Sequence, residues 1–104
     1  MSKRKRSERR EADRAAGKLA RELEKLAAHA PGGSPARPIV IDSPSEVEVR
    51  ARSTPCPICQ GELRVGEHAA ETIGGARLRV ARVTCSVCRA SRAIYFELAA
   101  SRLN

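Results

Sequence analysis

The sequence predicts a small metal-stabilised β fold, a three-stranded antiparallel sheet with an N-terminal α-helix, and three observations point to it. Four cysteines stand as two C-x-x-C pairs, Cys56-Pro57-Ile58-Cys59 and Cys85-Ser86-Val87-Cys88, with 25 residues between them. Three stretches after residue 55 alternate apolar and polar residues with the period of a strand. Large apolar side chains are scarce: Leu, Ile, Val and Phe fill 20 of 104 positions, and 17 of the 43 apolar residues are Ala. A chain so poor in buriable surface needs a metal or disulfides to offset its entropy of folding.

The N-terminal helix is read over residues 7–30. Ala12, Ala16, Leu19, Leu23, Leu26 and Ala30 recur at spacings of 4, 3, 4, 3 and 4, which places them on one face. Ser7 is the expected cap, and Pro31-Gly32-Gly33 ends the helix, because glycine accepts the left-handed C-terminal conformation and proline cannot continue the ladder. The expected layout is a basic helical segment over 1–30, a flexible linker over 31–37, an extended strap over 38–54 and a cysteine domain over 55–104. Within the strap, Ser43-Pro44-Ser45-Glu46 has the spacing of a helix capping box. Val47 and Val49, alternating with Glu46, Glu48 and Arg50, have the period of a strand, and extended structure with a turn at Ser43-Pro44 is the expectation.

In the cysteine domain Leu63 and Val65 lead one strand and Leu78 and Val80 a second. Ile94, Phe96 and Leu98 mark a third, on which Tyr95 and Glu97 face the other way. Gly74-Gly75 suits a two-residue hairpin turn, which needs positive φ at both central positions. With those glycines at its centre, Glu67 lies opposite Arg82 and Ala69 opposite Val80.

A C-x-x-C turn puts two thiolates on one side of a tight loop, and two such loops facing each other offer four sulfurs at the corners of a tetrahedron. Soft thiolates at that geometry select Zn2+ over magnesium or calcium. Cys56, Cys59, Cys85 and Cys88 are therefore the expected ligands of one structural zinc. A catalytic zinc keeps one position open for water, and four thiolates close it. Two disulfides, a redox dithiol at Cys56 and Cys59, and iron are the competing uses. A thioredoxin-like dithiol needs a βαβ context that is missing, and it leaves Cys85 and Cys88 unexplained.

With its first knuckle Cys56-Pro57-Ile58-Cys59-Gln60-Gly61, a hairpin, its second knuckle Cys85-Ser86-Val87-Cys88-Arg89 and a last strand from Arg92 to Leu98, the chain resembles the zinc ribbons. It looks most like short, uncharacterised bacterial members of that family. The resemblance spans residues 55–98 and implies a three-stranded antiparallel zinc ribbon with the four cysteines as ligands. The ribbons of transcription elongation factors carry an acidic pair at the hairpin tip, whereas Glu71-Thr72-Ile73-Gly74-Gly75 holds a single acid. Rubredoxins share the double C-x-x-C, but their aromatic-rich interior has no counterpart in a chain with one Tyr and one Phe.

The formal charge is +8, and Lys and Arg outnumber acids ten to five over residues 1–30 and seven to four over 55–104. A field of that sign attracts polyanions by displacing counterions from phosphates. Lys3, Arg4, Lys5, Arg6, Arg9 and Arg10 form a basic arm, and Arg79, Arg82, Arg89 and Arg92, with Arg64 and Arg77, surround the expected sheet. These are the candidate nucleic-acid contacts. Readout of bases by stacking is not expected, since only Tyr95 is available once Phe96 is buried. The Leu19, Leu23 and Leu26 stripe is the candidate surface for a helical partner.

No membrane span, no Ser-His-Asp arrangement, no phosphate-cradling glycine loop and no acid/base pair is legible, so neither an enzyme nor a small-molecule substrate is expected. His68 reads as an ordinary sheet-face residue and His29 as a residue at a helix terminus. The basic N-terminus lacks the apolar stretch of a secretory signal, which makes a cytoplasmic location the expectation. The function expected is that of a non-enzymatic zinc-binding module contacting a nucleic-acid backbone or an acidic nucleoprotein partner. A protein adaptor working through the helix and a thiol redox or metal-sensing switch are the alternatives.

Overall fold

A computed structural model of the chain describes residues 6–100. Its elements in chain order are α1 (Arg6–His29), β1 (Ile39–Ile41), α2 (Glu46–Ser53), β2 (Leu63–Ile73), β3 (Ala76–Cys85) and β4 (Ser91–Leu98). The four strands form one mixed sheet in the order β1-β4-β3-β2.

The β2–β3 hairpin follows from its turn. Gly74 and Gly75 both have positive φ, 58° and 82°, and Ile73 pairs with Ala76 across them. That turn sets Glu67 opposite Arg82 and Ala69 opposite Val80, as the turn chemistry predicts. A bulge between Val65 and Glu67, at Gly66, then shifts the register by one residue, so that Val65 meets Val83 and Leu63 meets Cys85. Because side chains alternate along a strand, the shift keeps Leu63 and Val65 on the face that carries Val83 and Cys85. β4 pairs antiparallel with β3, with Ile94 opposite Ala81 and Arg92 opposite Val83.

The sheet has a fourth strand that the expected three-stranded antiparallel ribbon lacks. Ile39–Ile41 lies parallel to β4, pairing Ile39 with Phe96 and Ile41 with Leu98. A run of three β-branched residues is too short to show any period, and its pairing depends on the edge that β4 presents.

The extended strap over 38–54 is corrected in its second half: residues 46–53 are helical. Val47 and Ala51, four apart, are fully buried, while Val49 points out with 56% of its surface exposed. The capping-box spacing was the better guide, for the Glu46 carboxylate reaches back to accept the N–H of Ser43 at 2.9 Å and of Asp42 at 2.6 Å. Two overlapping turns, Ser43 to Glu46 and Pro44 to Val47, lead into the helix.

The core lies between one sheet face and these two added elements. Ile41, Val47, Ala51, Cys56, Leu63, Ala81, Val83, Cys85, Ile94 and Phe96 form a single buried cluster. Tyr95, alternating with Ile94 and Phe96, lies on the opposite face with Val80 as its cross-strand partner.

Helix α1 behaves differently. Ser7, read as its cap, is already helical, and the helix contains no buried residue; Leu19 and Leu26 are 58% and 68% exposed. It is anchored at its C-terminal end. Gly32 takes φ 82°, its N–H donates to Arg37 O and its carbonyl accepts Tyr95 N–H at 2.9 Å, so the 31–37 turn is tied to β4. Gly33 sits so close to α1 that a Cβ there would collide with the Ala27 carbonyl. The Arg37 guanidinium donates to the otherwise open His29 carbonyl at 3.0 Å, a favourable place for a cation. The resulting molecule is elongated, 64 × 23 × 16 Å. No described helix is long and apolar enough to cross a membrane.

Candidate metal centre

The two C-x-x-C loops have the same backbone design. In the first, Cys56 N–H donates to Gly61 O and Gln60 N–H to Cys56 O; in the second, Cys85 N–H donates to Ala90 O and Arg89 N–H to Cys85 O. Each loop turns back through a residue in the left-handed region, Gln60 at φ 64° and Arg89 at φ 63°. That conformation is uncommon for residues other than glycine and is maintained where surrounding contacts require it. A further tie joins the loops, since the Ser86 N–H and hydroxyl both donate to Glu62 O at 2.9 Å.

This pairing of loops brings Cys56, Cys59, Cys85 and Cys88 together, with all four sulfurs within 4.8 Å of one another. Cys59 and Cys85 are 3.4 Å apart and Cys56 and Cys88 3.7 Å. A tetrahedron with Zn–S bonds of about 2.3 Å has edges of about 3.8 Å, so the donor set fits one tetrahedral thiolate-bound ion. Cys56 and Cys85 are buried, and Cys59 and Cys88 face solvent.

Electrostatics within the cluster are asymmetric. The Cys88 N–H, and then the Val87 N–H, both directed at the Cys85 sulfur at 3.4 Å, pull the Cys85 thiol down to about 6 against the opposing effect of burial. At Cys88 the Ala90 N–H acts to lower the value, but burial and the neighbouring sulfurs of Cys59, Cys85 and Cys56 outweigh it and push that thiol up to about 12. Four sulfurs held this close share negative charge poorly without a cation among them.

Gly61 leaves no room for a side chain. A Cβ at that position would lie 2.8 Å from Val87 Cγ2 and 3.1 Å from Cys85 Sγ. Gln60, Gly61 and Arg89, which complete the two knuckles in the sequence, shape the loops, while the possible ligand atoms are the four cysteine sulfurs.

The other candidate residues are dispersed. Lys3, Arg4 and Lys5 lie outside the described residues, and Arg6, Arg9 and Arg10 are exposed on the first turns of α1. Arg79 stands on β3 opposite Phe96, and Arg82, on the other face, is bound to Glu71 at 2.9 Å. Arg92 is half-buried on β4, with its Nε buried and without a hydrogen-bond partner. Arg89 instead lines a cleft of about 330 Å³ with Arg64, Thr84, Cys85 and Ser86. His68 is half-buried on β2 opposite Ala81, at the far side of the bulge from Leu63. Glu71, whose carboxylate binds Arg82, faces away from His68 on the same strand.

Comparisons with protein-family models, with curated proteins and with solved structures find no match.

Proposed function

We propose that the chain is a non-enzymatic zinc-binding module of the zinc-ribbon type, in which one structural Zn2+ ties the two C-x-x-C loops and basic side chains contact a nucleic-acid backbone or an acidic nucleoprotein partner. The observation that carries this reading is the tetrad of sulfurs within 4.8 Å, two of them buried. Thiolate donors in a closed tetrahedral set favour zinc and leave no position for a reacting water. When bound, the ion supplies cross-linking of the two loops and neutralisation of thiolate charge. Cys56 and Cys85 hold it from the core side, Cys59 and Cys88 from the solvent side.

The polyanion half of the proposal rests on the formal charge of +8 together with arginines, Arg64 and Arg89 among them, that have no acidic partner among the described residues. The test is metal content of protein purified without added metal, with folding followed before and after chelation. One zinc per chain and loss of the folded signal on chelation are expected, because structural zinc contributes about 10–16 kcal/mol in small domains. A metal-free chain that stays folded while one C-x-x-C pair oxidises reversibly would instead establish thiol redox chemistry.

A second reading, a protein adaptor, is favoured by the exposure of Leu19 and Leu26 on a helix with no buried residue. It predicts that Leu23→Asp abolishes capture of a partner protein while zinc content and nucleic-acid affinity stay unchanged. Persistence of every captured partner in that variant would exclude it.

A further inference from the structure

The arginines differ in what already holds them. Arg82 is neutralised by Glu71, its two terminal nitrogens 2.9 Å and 3.4 Å from the carboxylate oxygens. Arg50 lies 3.7 Å from Glu46, and Arg37 is committed to the end of α1. Arg64 and Arg89, like Arg77 and Arg79, have no acidic partner among the described residues, and the first two share one cleft. The cleft they line also holds the hydroxyls of Thr84 and Ser86 and the sulfur-bearing Cys85, and no carboxylate. Both arginines are exposed, so their charge is presented to solvent.

The position of Arg89 adds to this. Its counterpart in the first loop, Gln60, has the same left-handed backbone and turns its side-chain amide inward to donate to Cys56 O at 3.2 Å. Arg89 makes no such inward bond. Arg89 is thus a long cation at a φ that glycine would adopt without strain, and among the described residues it makes no ion pair. It stands beside Thr84, whose hydroxyl is 3.5 Å from that of Ser91, and beside Ser86, whose hydroxyl donates to Glu62 O.

We propose that the cleft between Arg64 and Arg89, floored by Thr84 and Ser86, is a phosphate site for the backbone of a nucleic acid. It rests on the polyanion reading above and assigns that reading a place. Paired guanidiniums suit a phosphodiester because each presents its donors in a planar fork, and such contacts position a chain on the protein without reading its bases. An acidic peptide is the less favoured ligand, because its carboxylates are spread along a flexible chain with no fixed spacing to match two guanidiniums converging on one cleft.

Zinc-loaded full-length protein is titrated against a short DNA duplex and a single-stranded RNA between about 50 and 200 mM salt, in wild type, Arg89→Gly and Arg64→Ala. Arg89→Gly relieves the left-handed strain, so its zinc content and thermal midpoint should equal or exceed those of the wild type. Its affinity should nevertheless fall. The slope of log affinity against log salt should lose about 0.9 for each duplex phosphate contact removed, and Arg64→Ala should do the same.

Wild-type binding with unchanged slopes in both variants overturns the cleft and leaves the polyanion reading standing. Absence of wild-type binding to either nucleic acid at the lowest salt overturns both. Loss of zinc from Arg89→Gly in proportion to the lost affinity overturns the site as well, by making the guanidinium a counter-charge to the thiolates. A poly-glutamate peptide that binds as tightly as the nucleic acids, with the same sensitivity to both variants, would replace the assignment with an acidic protein partner.

Discussion

At the scale of single residues, the centre depends on small atoms as much as on its four sulfurs. Gly61 lies against Val87 and Cys85 Sγ closely enough that any Cβ must displace one of them. Gly61→Ala is therefore expected to cost about 1–3 kcal/mol in stability and to shed its metal to a competing chelator sooner than the wild type. Equal chelator resistance in the two proteins would show that the loops can part without disturbing the sulfurs. The hydrogen bonds from Val87 and Cys88 N–H to Cys85 Sγ belong to the same scale. They lower the Cys85 thiol, while burial and the neighbouring sulfurs raise that of Cys88, so a metal bound by all four sulfurs would displace protons from the cluster.

At the scale of elements, α2 shows two local signals in competition. Val47 and Val49 suggest a strand, Ser43 to Glu46 suggests a helix start, and the burial of Val47 and Ala51 against the core decides for the helix. The Glu46 carboxylate, held below its ordinary value of 4.5 by the N–H groups of Ser43 and Asp42, ties down the entry. Its folded-state value is depressed, so its stabilisation is fully present above the unfolded value and is lost as pH falls through the folded one. Glu46→Ala should consequently lower the urea midpoint at neutral pH, and the gap from the wild type should close as acid protonates the carboxyl. A gap of constant size down to strong acid would mean that the carboxylate contributes nothing through its charge. Helix α1 presents the opposite case, for its stripe forms a face on which no described residue is fully buried, with Leu19 and Leu26 exposed and Leu23 half-buried. Its fixed points are the 31–37 turn and the Arg37 bond to His29 O.

At the scale of the whole molecule, one end of the sheet is tied by cysteines and the other by a hairpin turn. Cys56 and Cys85 belong both to the buried cluster and to the metal set, so folding of the core and assembly of the site involve the same side chains. This is why chelation should unfold the chain as a unit rather than merely loosen two loops. Twelve buried apolar residues among those described, two of them Ala and two Cys, make a thin core, and an ion bound by the four sulfurs would supply what its area does not. The molecule extends 64 Å along its long axis, and the 31–37 turn that ends α1 is bonded to β4.

Local chemistry was sufficient for the helix stripe, the Gly74-Gly75 turn with its register, the strands after residue 62 and the four cysteines. Each is decided by neighbours in sequence: a 3.6-residue period, a φ that only glycine takes freely, a two-residue alternation, a metal-binding spacing. Tertiary structure alone decided the rest. Ile39–Ile41 becomes a parallel strand because β4 has an open edge there, and residues 46–53 become a helix because two valines' worth of alternation is worth less than burying Val47 and Ala51. The bulge at Gly66 is likewise set by the need to keep Leu63 under the same face as Cys85. Arginines scattered through the sequence could not reveal which were neutralised, since the partner of Arg82 is eleven residues away. Arg64 and Arg89 come together only when the second loop folds over the start of β2.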